Sequence, residues 1–180
     1  MKSSPVIRIA NVNDAQGVSR LLRSAMLTYC ADSGISSSML EAMTESVESV
    51  ADRISRQTCL IAESDGTIVG SICVKDCPNP LVYSFSDKTY EFLAGIGKCS
   101  YISRFAVLEN YRKTGLGIDL ITKAIDIAKE SGADSVLLHS AASNKNMVEF
   151  YGKRGFDLID SENSRGYMRG LFANNLDSFR

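Results

Sequence analysis

Val6-Ile7-Arg8-Ile9-Ala10 alternates apolar and polar positions well enough to predict a first strand. Asn13 and Asp14 can cap a helix that runs to about Cys30, because Val18, Leu21, Leu22, Ala25 and Met26 recur at helical spacing. After a polar break at residues 33–38, the stripe Leu40, Met43, Val47, Val50, Ile54 predicts a second helix over Met39–Arg56, which could be split although no internal glycine or proline forces it. Cys59–Ala62 and Thr67–Val74 read as strands joined at Ser64-Asp65-Gly66, since Asp-Gly tolerates the positive φ of a tight hairpin. Residues 75–93 lose all periodicity and read as a long loop with Pro78, Pro80 and the aromatics Tyr83, Phe85, Tyr90 and Phe92. Periodicity returns with a strand at Ser100–Leu108 and an amphipathic helix at Gly115–Ser131, stopped by Gly132. Ser135–Leu138 is a short buried strand, Lys145–Lys153 a helix, and Phe156–Ile159 with Gly166–Phe172 a closing pair of strands. Helices interleaved with strands predict a mixed α/β sheet in one domain over residues 1–180.

Composition adds exclusions. Apolar residues make up 44% and charged residues 23% of 180, an ordinary globular balance. Twenty basic against twenty-one acidic residues leave a net charge of −1, without the basic excess of a general nucleic-acid binder. No window reaches the roughly 20 apolar residues of a membrane span, and the N-terminal residues show no signal-peptide pattern. The five cysteines are odd in number, lack a Cys-x-x-Cys pair and have no histidine cluster beside them. They are expected as reduced, mostly buried thiols in a cytoplasmic protein without a metal site.

The segment from Tyr101 to Ile118 carries the chemistry. An apolar strand feeds a turn, Arg112-Lys113-Thr114-Gly115-Leu116-Gly117, that opens directly into a helix. N–H groups at a helix start lack internal acceptors and carry the positive end of its dipole. Glycines there let a bulky anion approach the main chain, so the turn reads as a pyrophosphate site, with Arg112 and Lys113 adding mobile charge at its rim. A P-loop would need Gly-Lys-Ser/Thr, and a dinucleotide fingerprint would need a third glycine; neither is present. Arg-x-x-Gly-x-Gly, as Arg112 to Gly117, instead resembles the coenzyme A pyrophosphate motif of the GNAT superfamily of N-acetyltransferases. Asn144, Phe150-Tyr151 and Gly155-Phe156 resemble that superfamily's downstream signature, in the expected order and spacing.

The resemblance implies a mixed, mostly antiparallel central sheet with helices on both faces. It implies acetyl-CoA as cosubstrate and direct transfer of its acetyl group to a primary amine of a small molecule or peptide. The strand before the turn would splay from its neighbour, so that main-chain groups of Phe105, Ala106 and Val107 hold the pantetheine arm and polarise the thioester. Lys113, Thr114, Gly115, Leu116 and Gly117 would wrap the pyrophosphate with Arg112. Tyr151 matches the general acid, a phenol suited to protonate a thiolate. Asn144 matches an asparagine near the pantetheine amide and suits a helix N-cap.

The base is left open. Tyr101 occupies a position where several members of the superfamily carry glutamate; Glu91, Glu109 or a water chain could replace it. His139, the only histidine, ends a buried strand and reads more simply as a structural imidazole. Lys153 and Arg154 could reach the 3′-phosphate, although charges completing a helix C-terminus are the plainer account. The acceptor is expected between the first two helices and the Cys77–Leu93 loop. An acetyl-CoA-binding regulatory module without turnover is the alternative, and a homodimer through Gly166–Phe172 as an edge strand is compatible with either.

Overall fold

Asp65 and Gly66 both adopt positive φ, 49° and 71°, and close β2 (Thr58–Ser64) onto β3 (Thr67–Asp76) in a two-residue hairpin. Such a turn matches the natural twist of paired strands. The computed structural model describes residues 4–76, 85–163 and 165–176. Around this hairpin, β1 (Val6–Ile9), β4 (Cys99–Val107), β5 (Ser135–Ala141), β6 (Asp157–Glu162) and β7 (Arg169–Asn175) complete a seven-stranded sheet in the order β1-β2-β3-β4-β5-β7-β6. Every neighbouring pair is antiparallel except β4 and β5.

Side chains alternate along the strands, and each face buries a different set of helices. Leu60, Ala62, Ile72, Val74 and Ile102 join a cluster with Leu116, Leu120, Ile121 and Ala124 of α5 (Leu116–Glu130). Their strand neighbours Cys59, Ile61 and Cys73 turn the other way, toward α1 (Ala15–Ser33) and α3 (Val47–Arg56). α4 (Asp87–Gly95) covers a smaller apolar patch on Leu137 and Leu171 beside them. The helices therefore lie on both faces, as the resemblance implies.

Four expectations are corrected. The helix expected over Met39–Arg56 is broken into α2 (Glu41–Thr44) and α3, because Glu45 is extended and Ser46 caps the new start by accepting from the Ser49 N–H. Leu40 and Val50 still reach the core, so the apolar stripe persists across a break that periodicity alone does not reveal. Within the stretch expected as loop, residues 87–95 form α4, anchored where Ser86 and Thr89 donate to Asp160. Tyr83 lies outside the described residues. The strand expected at Gly166–Phe172 begins only at Arg169 and runs between β5 and β6, so it is internal and β6 forms the edge; the dimer proposed through it loses its basis.

The fourth concerns the cysteines. Cys59 and Cys73 face each other in the β2–β3 register, with Cα atoms 4.1 Å apart, and form a disulfide. Cys99 is also disulfide-bonded, whereas Cys30 is a buried free thiol. Hairpin pairing creates that proximity across a separation of 14 residues, which spacing rules for cysteine motifs do not capture.

Candidate active site

β4 and β5 pair in parallel from Cys99/Ser135 to Ile102/Leu138 and then part. Beyond that point β5 continues against β7 through Ala141, while β4 stays with β3 through Val107. A register shift between Ser71 and Cys73 marks a bulge at the fork, and Arg104 occupies it with φ +52°. That conformation is unfavourable for a residue with a Cβ. It is held by the Ser71 hydroxyl donating to the Arg104 carbonyl (3.0 Å) and by ion pairs from Arg104 to Glu45 (3.0 Å) and Glu41 (3.5 Å). The fork opens into a cleft of ≈ 1060 Å³ whose walls include Phe105, Ala106, Val107, Gly115, Gly117, Asn144 and Tyr151.

At one end lies the glycine turn. Lys113 (φ +61°) and Gly115 (φ +96°) are left-handed on either side of Thr114, whose hydroxyl donates to the Tyr111 carbonyl at 2.7 Å. Alternating left-handed residues before a helix gather N–H groups into a concavity suited to an anion. Leu116 is buried and anchors the first turn of α5. A Cβ on Gly117 would lie 3.4 Å from the Phe105 ring and 3.8 Å from Phe150, so these rings floor the turn. Arg112 differs from its expected role as a mobile rim charge. Its Nε donates to the Val107 carbonyl (3.1 Å) and its Nη2 to the Ala25 carbonyl (3.5 Å), tying the turn to β4 and α1.

The far wall comes from α6 (Lys145–Gly152). Asn144 is buried and caps this helix by accepting from the Met147 N–H (3.1 Å), while its amide donates to the Ser33 hydroxyl (2.9 Å). The Ser143 hydroxyl donates to the Ser33 carbonyl (2.6 Å), and Tyr29 Oη accepts the Ala141 N–H (2.6 Å). The C-terminal half of α1 is thereby fastened to the β5–α6 junction. Tyr151 is buried among Phe105, Phe150, Phe156 and Phe172, and burial pushes its pKa well above the ordinary phenol value. Lys153 and Arg154 are absent from the cleft wall. Lys153 pairs with Glu149, and Arg154 donates to the Phe150 carbonyl at 2.6 Å and stacks on the Phe150 ring, which is the helix-end account.

At the other end Tyr101 Oη and His139 Nδ1 share a hydrogen bond of 2.7 Å, on strands that neighbour each other at the fork. Phe85 stacks on the imidazole with ring centroids 5.8 Å apart. The expected base candidates separate here. Glu91 is exposed on α4 and does not line the cleft, because its helix turns Thr89 inward instead. Glu109 lines the cleft beside the glycine turn, beyond the opposite end of β4 from Tyr101, some ~20 Å of strand away at 3.3 Å per residue. Tyr101 and His139 are brought together.

Burial, reinforced by Arg169 and Arg165, lowers the His139 pKa from 6.5 to about 3. The imidazole is neutral across the physiological range. Since the folded value lies below the unfolded one, stability is full above about pH 6.5 and is lost as pH falls toward 3. With one histidine in the chain, its NMR resonances are expected not to titrate between about pH 8 and 5, and the melting temperature to fall below about pH 6 more steeply than in His139→Gln. A midpoint near the ordinary value would show that the ring is solvated.

No sequence motif marks the wall near Tyr101 and Lys75. Arg53 and Arg104 share Glu45, while Glu41 joins Arg104 to Arg165, so one chain of ion pairs links α3, α2, β4 and the turn before β7. These residues are distant in sequence and carry no motif. Lys75, the single cation in β3, is the one local signal.

Fold and cleft define an α/β protein whose split sheet opens into a cleft that ends at a glycine turn. The chain belongs to the acetyltransferase (GNAT) family, whose model matches residues 37–156. It is 31% identical over 124 residues to N-alpha-acetyltransferase MAK3 of Arabidopsis thaliana, a match covering 69% of this chain and 54% of that protein; the chain thus spans about half of that relative's length. The PaiA N-acetyltransferase of Thermoplasma acidophilum, solved in complex with coenzyme A, superposes with a TM-score of 0.73 at 22% identity, covering 96% of this chain and 99% of that one. The NatC complex bound to a Gag peptide and CoA contains a chain that matches with a TM-score of 0.69 at 16% identity, covering 97% and 99%. Among the described residues no helix is long and apolar enough to cross a membrane.

Proposed function

We propose that this chain transfers the acetyl group of acetyl-CoA to the N-terminal α-amine of a peptide. The carrying observation is the Tyr101–His139 pair at one end of a split sheet that has a glycine turn at its other end. Acetyl-CoA supplies an activated thioester; the protein must position it, accept a proton from the amine and return one to sulfur. The residues present fit that ligand. The N–H concavity at Lys113–Gly117 suits its pyrophosphate, and the β4 edge left open by the fork, at Phe105, Ala106 and Val107, suits its pantetheine amides. Asn144 fixes the opposite wall.

The kind of amine follows from the base. Glu41, the carboxylate at this end of the described cleft, is engaged by Arg104 and Arg165, and His139 is a neutral imidazole with a depressed pKa. A lysine ε-amine, near pKa 10.4, needs strong assistance, whereas an α-amine near 7.7–8.0 is substantially deprotonated already. An assisted path suffices for it: the amine proton leaves through Tyr101 Oη to solvent, while His139 Nδ1 orients that hydroxyl, since an imidazole with a pKa of about 3 does not keep the proton. Tyr151, kept protonated by burial, can donate to the departing sulfur. The relatives named N-alpha-acetyltransferases, and the solved complex holding a peptide with CoA, support a peptide acceptor.

Thiol release from acetyl-CoA tests the reading with two versions of one lysine-containing peptide. Transfer is expected to the version with a free α-amine and not to the N-terminally blocked version. Acetylation confined to lysine or to polyamines would overturn it. An acetyl-CoA-induced thermal shift without thiol release on any acceptor would establish the binding module instead.

A further inference from the structure

Lys75 lies opposite Tyr101 in the β3–β4 register, and its Nζ stands 5.6 Å from the centroid of the Tyr101 ring. It is half-buried and lines the cleft. The nearby carboxylates are already engaged. Glu45 serves Arg53 and Arg104, and Glu41 serves Arg104 and Arg165, while no ion pair to Lys75 exists among the described residues. Adjacent Asp76 is exposed and alternates to the other face of the strand. Residues 77–84, which follow directly, contain no aspartate or glutamate to neutralise it. Burial first, then repulsion by Arg53 and Arg104, draws its pKa below the ordinary lysine value, and attraction from Glu41 offsets this only in part. A partly desolvated cation kept beside two guanidiniums and facing a cleft is an unfavourable arrangement until an anion enters.

We propose that Lys75, backed by Arg104, is a carboxylate subsite beside the reacting amine, so that the preferred acceptor carries an acidic group close to its N-terminal amine. Resting on the peptide-acetyltransferase reading, this deepens it: the acceptor is a peptide with aspartate or glutamate next to its first residue. The ring of Tyr101 fixes where that charge is held, because Nζ lies over the same side chain whose hydroxyl bonds His139. A charge-assisted contact of this kind discriminates a carboxylate from its amide by roughly tenfold.

The test compares Met-Asp-Ala-amide with Met-Asn-Ala-amide as acceptors, and methionine with methioninamide, in the parent, Lys75→Met and Lys75→Glu proteins. The parent is expected to favour Met-Asp-Ala-amide over its asparagine counterpart by about tenfold in kcat/KM. The ratio is expected to fall toward 1 in Lys75→Met and to invert in Lys75→Glu. A parent preference only for methionine over methioninamide would overturn the peptide side chain as the source and assign the subsite to an amino-acid α-carboxylate. Ratios unmoved by either substitution, in variants melting near the parent, would overturn the subsite.

A second measurement does not depend on turnover. Acetyl-Met-Asp-Ala-amide is expected to bind the CoA-saturated parent about tenfold more tightly in calorimetry than the asparagine product, and Lys75→Met to lose the difference. Retained discrimination in a protein that transfers no acetyl group would sink the catalytic reading while supporting this one. Equal binding of both products would sink this one.

Discussion

Gly117→Glu is expected to abolish the rise in melting temperature that acetyl-CoA produces in the parent protein. At a hundredfold excess over Kd, a ligand specific for the folded state stabilises it by about 2.7 kcal/mol, or roughly 5–10 °C for a domain of this size. The substitution is informative because it spares the fold. Gly117 lies in the first turn of α5, outside the left-handed region, and a Cβ there meets only ordinary contacts at 3.4 and 3.8 Å. An acidic side chain suits a helix N-terminus, so the free protein is expected to melt near the parent temperature. The same carboxylate stands where the pyrophosphate would be held and repels it. Gly117→Ala, which adds bulk without charge, is expected to keep most of the shift. Differential scanning fluorimetry with and without acetyl-CoA reads all three proteins, and a full shift in Gly117→Glu would remove the turn from the binding site.

Tyr101→Phe is the second large effect. It deletes one oxygen, the partner of His139 Nδ1 at 2.7 Å, and leaves the ring that packs near Leu137 and beneath Lys75. Positioned proton transfer contributes about 10²–10⁴-fold to a rate, so kcat is expected to fall at least about 100-fold. The acetyl-CoA thermal shift is expected to remain, since the glycine turn lies beyond the other end of β4. Raising the pH increases the neutral fraction of the amine but does not replace the lost hydroxyl, so the ratio of parent to variant kcat is expected to persist into mildly alkaline solution. Equal kcat in parent and variant would eliminate Tyr101 from proton transfer and return attention to Tyr151.

Features that depend on a few adjacent residues were the legible ones. Asp65-Gly66 announced its hairpin, Gly132 its helix stop, and Arg112 to Gly117 their turn, because positive φ and free N–H groups have local chemical causes. Asn144 announced both its cap and its position on the cleft wall. What stayed hidden depends on pairing. Cys59 meets Cys73, and Tyr101 meets His139, only through strand register, and each looks like an ordinary core residue in isolation. Arg112 was recognised as part of the turn but not as its tether, since its carbonyl partners lie on β4 and α1. The break at Glu45, open as a possibility in the sequence, had no local residue to place it. Ser46 can cap a helix or continue one, and tertiary ion pairs to Arg53 and Arg104 favour the break.

The fastening of α1 to the β5–α6 junction has an evolutionary consequence. Tyr29 and Ser33 hold the end of α1 to Ala141, Ser143 and Asn144, and Gly34 immediately stops the helix in a left-handed conformation. Ser46 then restarts regular structure at α3. The intervening chain is tied to the sheet between these posts by Glu41 and Glu45, which pair with Arg104, and by buried Leu40. Outside those ties such a span can change length and sequence without disturbing the glycine turn or Asn144, so on the proposed function selection could exchange one acceptor for another while the acetyl-CoA site is inherited unchanged.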